Sequence, residues 1–303
     1  MVIFLVVRGS IATPGKDTAE YGGNTSCLEI VDDDGNTFIF DAGTGIRQLG
    51  MDLAKRKINN INLFISHTHW DHIQGFPFFT PAYIPGNKIQ IFGPIHFEKT
   101  LKKIMDLQMD YAYFPISMQQ LNAKISYSDL KECELEFGKT KIITKYSNHP
   151  VTALCYKIIC NGKTIVYSGD NEPYYNVLTA DAKPDPTGVE DFAGHVEGEG
   201  TDENIDEIVA EQNERHRKFC ASDILIHDAQ YTEEEYQKAR GWGHSPMELV
   251  IRNAVSVGVK RIALSHHDPG RTDEALAAIE KKLQTANPGV DLFFTKEGME
   301  LTL

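Results

Sequence analysis

The chain has 303 residues, 41% hydrophobic and 24% charged, an ordinary globular balance with ample core material and no run long and apolar enough to span a membrane. Its net charge of −13 is uneven: between Asp181 and Glu214 twelve acidic residues stand against one lysine, so that stretch carries −11 and the rest is close to neutral. Such a surface repels a long polyanion and no lysine/arginine cluster offers a basic groove, so large nucleic-acid substrates are disfavoured, whereas small anions held by metals are not.

The opening "MVIFLVVRG" has no basic segment before its apolar run, which suits a first strand over 2–7 better than an export signal. Strand-like runs follow at 25–31, 37–40, 61–66 and 88–93. Amphipathic helices are predicted over 45–57, where Ile46, Leu49 and Leu53 share a face, and over 97–109. Strands resume at 124–130, 140–146, 151–160 and 163–169, the last two joined as a hairpin through "NGK" (161–163). A strand at 223–228 and a short helix at 232–239 precede a helix over 245–258. That helix is expected to have Ser245 as N-cap, Pro246 as its first residue, Glu248 in a capping box and Gly258 as its stop. A strand (261–266), a helix (272–284) and a strand (290–295) complete the pattern. The acidic stretch reads as an insertion at about 181–218, with a helix near 203–218, inside one domain spanning 1–303. Strands in two groups, each followed by helices, predict an α/β fold built as a four-layer αββα sandwich. The five cysteines (Cys27, Cys133, Cys155, Cys160, Cys220) form no CxxC, and are read as reduced packing thiols of a cytoplasmic protein. Cysteine ligation of a metal is the less favoured reading.

Residues 66–72, "SHTHWDH", put three histidines and an aspartate just past the apolar strand "INLFIS". His67 and His69 alternate as extended residues do, so both can point one way, and Asp71 and His72 follow as the chain turns into a helix. Imidazole and carboxylate are ligands of borderline divalent metals. Four of them exceed the need of one catalytic metal that must keep positions open, so they divide better between two. The plain alternative, a polar loop whose histidines bond backbone, suits a lone histidine better than HxHxDH at a strand end. His149 in "YSNHPV", Asp170 in "IVYSGD" and His266 and His267 in "IALSHHDP" each stand where a strand stops, where chain ends converge on a site. Any one of them alone could be a capping or surface residue; the joint pattern is what points to metal.

This series resembles the ligand set of the metallo-β-lactamase-fold hydrolases, and the resemblance extends through "RGS…YGGNTSCLEI…FIFDAGTGIRQLG" with its aspartate–glycine turn. It implies that His67, His69 and His149 hold one metal, that Asp71, His72 and His266 hold another, and that Asp170 bridges. His266 is preferred to His267 because it directly follows the strand end, which leaves His267 as a supporting or exposed residue. Two divalent ions per chain are expected, zinc foremost, although manganese or iron can occupy such sites. Two metals acidify and orient water and stabilise phosphoryl charge, which suits phosphodiesters, lactones, β-lactams and thioesters alike.

"LIHDAQY" (225–231) and "GWGHSP" (241–246) resemble paired motifs of the phosphodiesterase branch that includes ribonuclease Z, where an acidic residue orients a histidine beside the metals. Asp228 and His244 match, and with Asp71 they are the residues expected to carry catalysis; the plain reading makes them a turn carboxylate and a backbone-bonded histidine. Ribonuclease Z commonly has glutamate where this chain has Asp228, so the reach is shorter. No long basic Gly/Pro-rich arm is present. With the acidic stretch, this favours a small phosphodiester such as a cyclic nucleotide or short dinucleotide, no long nucleic acid and no membrane; a homodimer is one assembly the reading allows. Trp70 and "GFPFF" (75–79) could wall a base, with core packing favoured for Phe76, Phe78 and Phe79. The rivals are a lactonase or β-lactamase, which needs no His244–Asp228 pair, and a di-iron redox or sensor module, whose branch usually has glutamate where His69 stands. A pseudoenzyme acting as a binding module is opposed by the complete ligand set.

Overall fold

The computed structural model describes residues 1–5, 7–97, 99–177 and 202–302. The first half contains β1 (Val2–Phe4), β2 (Leu28–Val31), β3 (Thr37–Phe40), α1 (Ile46–Arg56), β4 (Asn60–Phe64), α2 (Trp70–Ile73), β5 (Lys88–Pro94), α3 (Leu101–Gln108) and β6 (Lys124–Leu130). Then come β7 (Glu134–Phe137), β8 (Thr140–Ser147), β9 (Ala153–Cys160), β10 (Lys163–Tyr167), α4 (Asp202–Phe219) and β11 (Ile224–Asp228). The chain ends with α5 (Glu233–Ala239), α6 (Met247–Ser256), β12 (Arg261–Ser265), α7 (Asp273–Ala286), β13 (Asp291–Phe294) and β14 (Glu300–Leu301). The first part of the expected acidic insertion, 181–201, lies outside the described residues; its helix is α4. Among the described residues no helix is long and apolar enough to cross a membrane.

One sheet has the order β14–β1–β2–β3–β4–β5–β6 and the other β13–β12–β11–β10–β9–β8–β7. Phe4, Phe38, Phe40, Phe64 and Phe92 of the first sheet meet Leu154, Tyr156 and Ile158 of the second in a buried layer between them. Phe64 stacks on Phe92 with centroids 4.6 Å apart. Alternation along β4 sends Ile61 and Leu63 to the opposite face, against α1 and α3 residues such as Leu53 and Met105. Val250, Ile251 and Ala254 of α6 and Leu276 and Leu283 of α7 cover the outer face of the second sheet. These three apolar layers separate four layers of structure, the αββα sandwich of the metallo-β-lactamase fold. The hairpin between β9 and β10 turns on Asn161 (φ 50°) and Gly162 (φ 72°), the two left-handed residues that a two-residue turn of this hand requires.

The helix start in "GHSPMELV" differs from expectation. α6 begins at Met247 with Pro246 as its N-cap and no side-chain cap. Ser245 instead donates to the Asn171 carbonyl at 2.6 Å, and Glu248 accepts from the Glu233 N–H at 2.9 Å. Both side chains are drawn into tertiary bonds that a local capping pattern cannot anticipate.

Parallel pairing positions the site. β3 runs parallel to β4, and β10, β11 and β12 run parallel to one another, so within each sheet these strands finish at a common edge. Asp41, Ser66, Asp170 and His266 follow the ends of β3, β4, β10 and β12 within a few residues, and Asp228 is the last residue of β11.

Candidate metal centre and active site

Past β4 the chain bends at Ser66, reaches His69 in an extended conformation (φ −64°, ψ 153°) and then enters the single turn of α2, which carries Asp71 and His72. Two groups of donors result, sharing Asp170. In the first, His67, His69, His149 and Asp170 have donor atoms within 4.8 Å of one another. His149 Nε2 lies 3.0 Å from His69 Nδ1, and His67 Nε2 lies 3.5 Å from Asp170 Oδ2. In the second, Asp71, His72, Asp170 and His266 meet the same limit. His266 Nε2 is 3.2 Å from both Asp71 Oδ2 and Asp170 Oδ1, and His72 Nε2 is 3.2 Å from Asp170 Oδ1. His266 adopts a left-handed backbone (φ 61°) that swings its ring into the group. His267 turns away: it is fully buried, with Nε2 3.4 Å from the Thr295 carbonyl, so the exposed alternative for it does not hold.

The electrostatics ask for a cation. Burial pushes His149 down to about 4 and holds His67 well below the ordinary imidazole range, so both offer lone pairs. Burial would also raise the carboxyls of Asp71 and Asp170, but His72 and His266 hold both below the usual carboxylate range. The same burial opposes charge on His72, yet Asp170, Asp71 and Asp41 raise it well above its ordinary value. His67 Nε2, His72 Nε2 and Asp170 Oδ1 are buried without a hydrogen-bond partner. A buried polar atom left unpaired costs roughly 1–3 kcal/mol; a divalent cation that meets His67 Nε2 and displaces the proton the carboxylates hold on His72 removes that cost. The donor set therefore fits divalent metal.

Beside this centre lies the pair from the later motifs. Asp228 Oδ2 accepts from His244 Nδ1 at 3.0 Å and from the Asn171 N–H at 3.1 Å, so aspartate closes the gap that a longer glutamate would span. The His244 ring stacks on that of His266 at 4.7 Å, and its Nδ1 is 3.9 Å from Asp170 Oδ2. Burial works against a charge on His244, but Asp228, then Asp170 and Asp71, outweigh it and the group is pushed up to about 9.

Two buried carboxylates were missed by sequence reasoning. Asp41, in a left-handed turn after β3 (φ 63°), accepts from His72 Nδ1 (2.8 Å), Ser66 Oγ (2.8 Å), the Ser66 N–H (2.6 Å) and the Tyr167 hydroxyl (2.6 Å). It thereby fixes the His72 tautomer with Nε2 facing the centre. The aspartate–glycine turn in "FIFDAG" was its signal. Glu172 accepts from the N–H groups of Gly241 (2.7 Å) and Gly243 (3.0 Å) and from the Tyr236 hydroxyl (2.9 Å), which anchors the loop carrying His244. That loop also accepts from His149 Nδ1 through the Gly243 carbonyl at 3.0 Å. Gly243 has φ +88°, and a Cβ there would sit 2.4 Å from His149 Nδ1. Gly243→Ala is accordingly expected to displace His149 and weaken metal binding by about 10- to 100-fold, measured by competition with a chromogenic chelator.

This fold and this convergence of imidazoles and carboxylates define a metal-dependent hydrolase of the metallo-β-lactamase fold, in its ribonuclease Z-like branch. Ribonuclease Z of Picrophilus torridus is 25% identical over 93% of this chain and 90% of its own length. The metallo-β-lactamase fold protein YhfI of Bacillus subtilis superposes with a TM-score of 0.63 at 17% identity, covering 98% of this chain and 96% of that one. A diphosphatase of the PhnP family gives a TM-score of 0.64 at 13% identity, covering 100% and 97%. The chain belongs to the family described as Anti-Pycsar protein Apyc1, which matches residues 15–185. That match includes His67, His69, Asp71, His72, His149 and Asp170; Asp228, His244 and His266 lie beyond it.

Proposed function

We propose that the chain, acting as one domain, hydrolyses a small phosphodiester such as a cyclic nucleotide or short dinucleotide. His67, His69 and His149 would hold one divalent cation, Asp71, His72 and His266 a second, and Asp170 would contact both; the nitrogen-rich donor set favours zinc. When bound, the cations supply Lewis acidity, acidifying water and neutralising charge on phosphoryl oxygens.

The observation that carries the reading is the buried His244–Asp228 pair, 3.0 Å apart, at the rim of the donor cluster. A cationic imidazole held by a carboxylate can neutralise a phosphate oxygen and give its Nε2 proton to the leaving oxygen. A lactone or β-lactam hydrolase has no need of it. The names of the relatives, a ribonuclease and a diphosphatase, denote cleavage at phosphate and support the same class.

An open cavity of about 720 Å³ is lined in part by Trp70, Pro77, Phe78, Phe97, Tyr113 and Phe114; none of the proposed metal ligands lines it, and Thr68 and Trp70 of the ligand motif do. Trp70 lies between His69 and Asp71 in sequence, and this is the link between the aromatic surface and the proposed ligands; a base-sized apolar group suits such a surface. Phe76 and Phe79 are fully buried, whereas Phe78 is 57% exposed, so of the "GFPFF" aromatics Phe78 is the one that faces the cavity. The run of acidic residues argues against a long polyanion.

The test is a substrate panel on one metal-loaded preparation. Bis(p-nitrophenyl) phosphate and 3′,5′-cyclic nucleotides should turn over faster than nitrocefin, a simple lactone or a structured RNA. Efficient lactone or β-lactam turnover without diesterase activity would refute the proposal, and preference for structured RNA would overturn its substrate size.

A further inference from the structure

A second cluster of metal-ligating side chains lies apart from the centre just described. His216 and Cys220 stand four residues apart at the end of α4; the Cys220 N–H still bonds the His216 carbonyl at 3.1 Å, so both side chains share a helix face. That face packs on β11, where His227 precedes Asp228. His216 Nε2 lies 3.4 Å from His227 Nε2 and 3.5 Å from Cys220 Sγ, and all three donor atoms fall within 4.8 Å of one another.

We infer that His216, Cys220 and His227 form a third divalent-metal site, selective for zinc-like cations, outside the catalytic centre. The tautomer of His227 is the first argument. Its Nδ1 donates to the Asp228 carbonyl at 2.6 Å, which leaves the Nε2 lone pair directed at His216 and Cys220. A backbone carbonyl on the far nitrogen is the usual support of a metal-bound imidazole. His227 and Cys220 are each only 5% exposed, so water is a poor substitute partner.

Distance is the second argument. In a tetrahedron with Zn–N of about 2.0 Å and Zn–S of about 2.3 Å, two nitrogens stand about 3.3 Å apart and nitrogen and sulfur about 3.5 Å apart. The observed 3.4 and 3.5 Å separations match those edges, whereas 3.4 Å is long for a hydrogen bond between imidazoles. The cluster also borders a cavity of about 30 Å³, room for one water as a fourth ligand. Arg217, which borders the same cavity, is engaged elsewhere by Glu214 and by Ser256 Oγ at 2.8 Å. Binding replaces the Cys220 thiol proton, released to solvent, with a metal–thiolate bond. The result ties α4 to β11 one residue before Asp228.

The donors of the catalytic centre are nitrogen and oxygen only, so sulfur ligation reports the new site alone. Full-length protein loaded with cobalt(II) should show thiolate-to-cobalt charge-transfer absorption. The band should persist in Asp71→Ala and disappear in Cys220→Ser, and Cys220→Ser and His227→Gln should each lower the zinc content by one ion per chain. X-ray absorption at the zinc edge of the wild type should show a sulfur neighbour, a measurement that does not depend on any variant folding. Absence of both the cobalt band and the sulfur neighbour in the wild type overturns the site, as does a band or zinc count that Cys220→Ser leaves unchanged.

Discussion

Asp71→Ala is expected to lose cation from the catalytic centre and to lower phosphodiester turnover on the order of 10³-fold or more. Asp71 Oδ2 stands 3.2 Å from His266 Nε2 and 3.4 Å from His72 Nε2, and is tied down by the Ser10 N–H at 2.8 Å. Removing it takes one of two acidic donors from the second group and leaves His72 and His266 with a weaker anionic field. Metal content by plasma emission spectroscopy and initial rates at saturating metal read the two effects separately, with circular dichroism verifying the fold. Full metal content together with lost activity would mean that Asp71 acts on substrate and not as a ligand.

The fold was readable because most of its strands are buried and periodic. The strands at 37–40 and 124–130 fall where the pattern put them, and β4 alternates so sharply that its two faces feed two different cores. The strands that escaped notice lie at sheet edges: β7 is half-buried on alternate residues, and β14 has only two residues. Their pairing is supplied by neighbours already in place, so little of it is written locally. The convergence of the candidate donors was readable for a related reason. HxHxDH is compact, and the remaining candidates each follow a strand, so parallel strands that end at one edge bring them together.

What stayed hidden is what needs two distant segments at once. Asp41 acquires its role because a left-handed turn faces it to His72, 31 residues on, and to Tyr167, 126 residues on. Glu172 does so by meeting a loop 69 to 71 residues later. Cys220 looked like packing because its partners are a helix residue four positions back and a strand residue seven ahead, a spacing that no short zinc motif announces.

His244→Ala separates binding from chemistry. His244 touches Asp228, stacks on His266 and has a ligand atom within 4.8 Å of both, but it belongs to neither group that contains Asp170, so the variant should keep both catalytic cations and the fold. Turnover should nevertheless fall by about 10²-fold or more, the scale for removing a positioned proton donor or charge stabiliser. The deficit should widen for substrates with poor leaving groups, which depend most on receiving a proton, and narrow for p-nitrophenyl esters. The wild-type pH profile carries the same information: Asp228 favours the imidazolium against burial, so kcat should decline on the basic side as that proton is lost. Asp228→Asn removes the charge that, against burial, raises His244. It should cost less, about 10-fold, and should move the basic decline to lower pH. A merely structural role for Asp228 would lower the rate without moving the profile. If His244→Ala instead loses metal as Asp71→Ala does, His244 is itself a ligand and the assignment of His266 must change. If it alters neither metal content nor rate, the phosphodiesterase reading loses the observation that carries it.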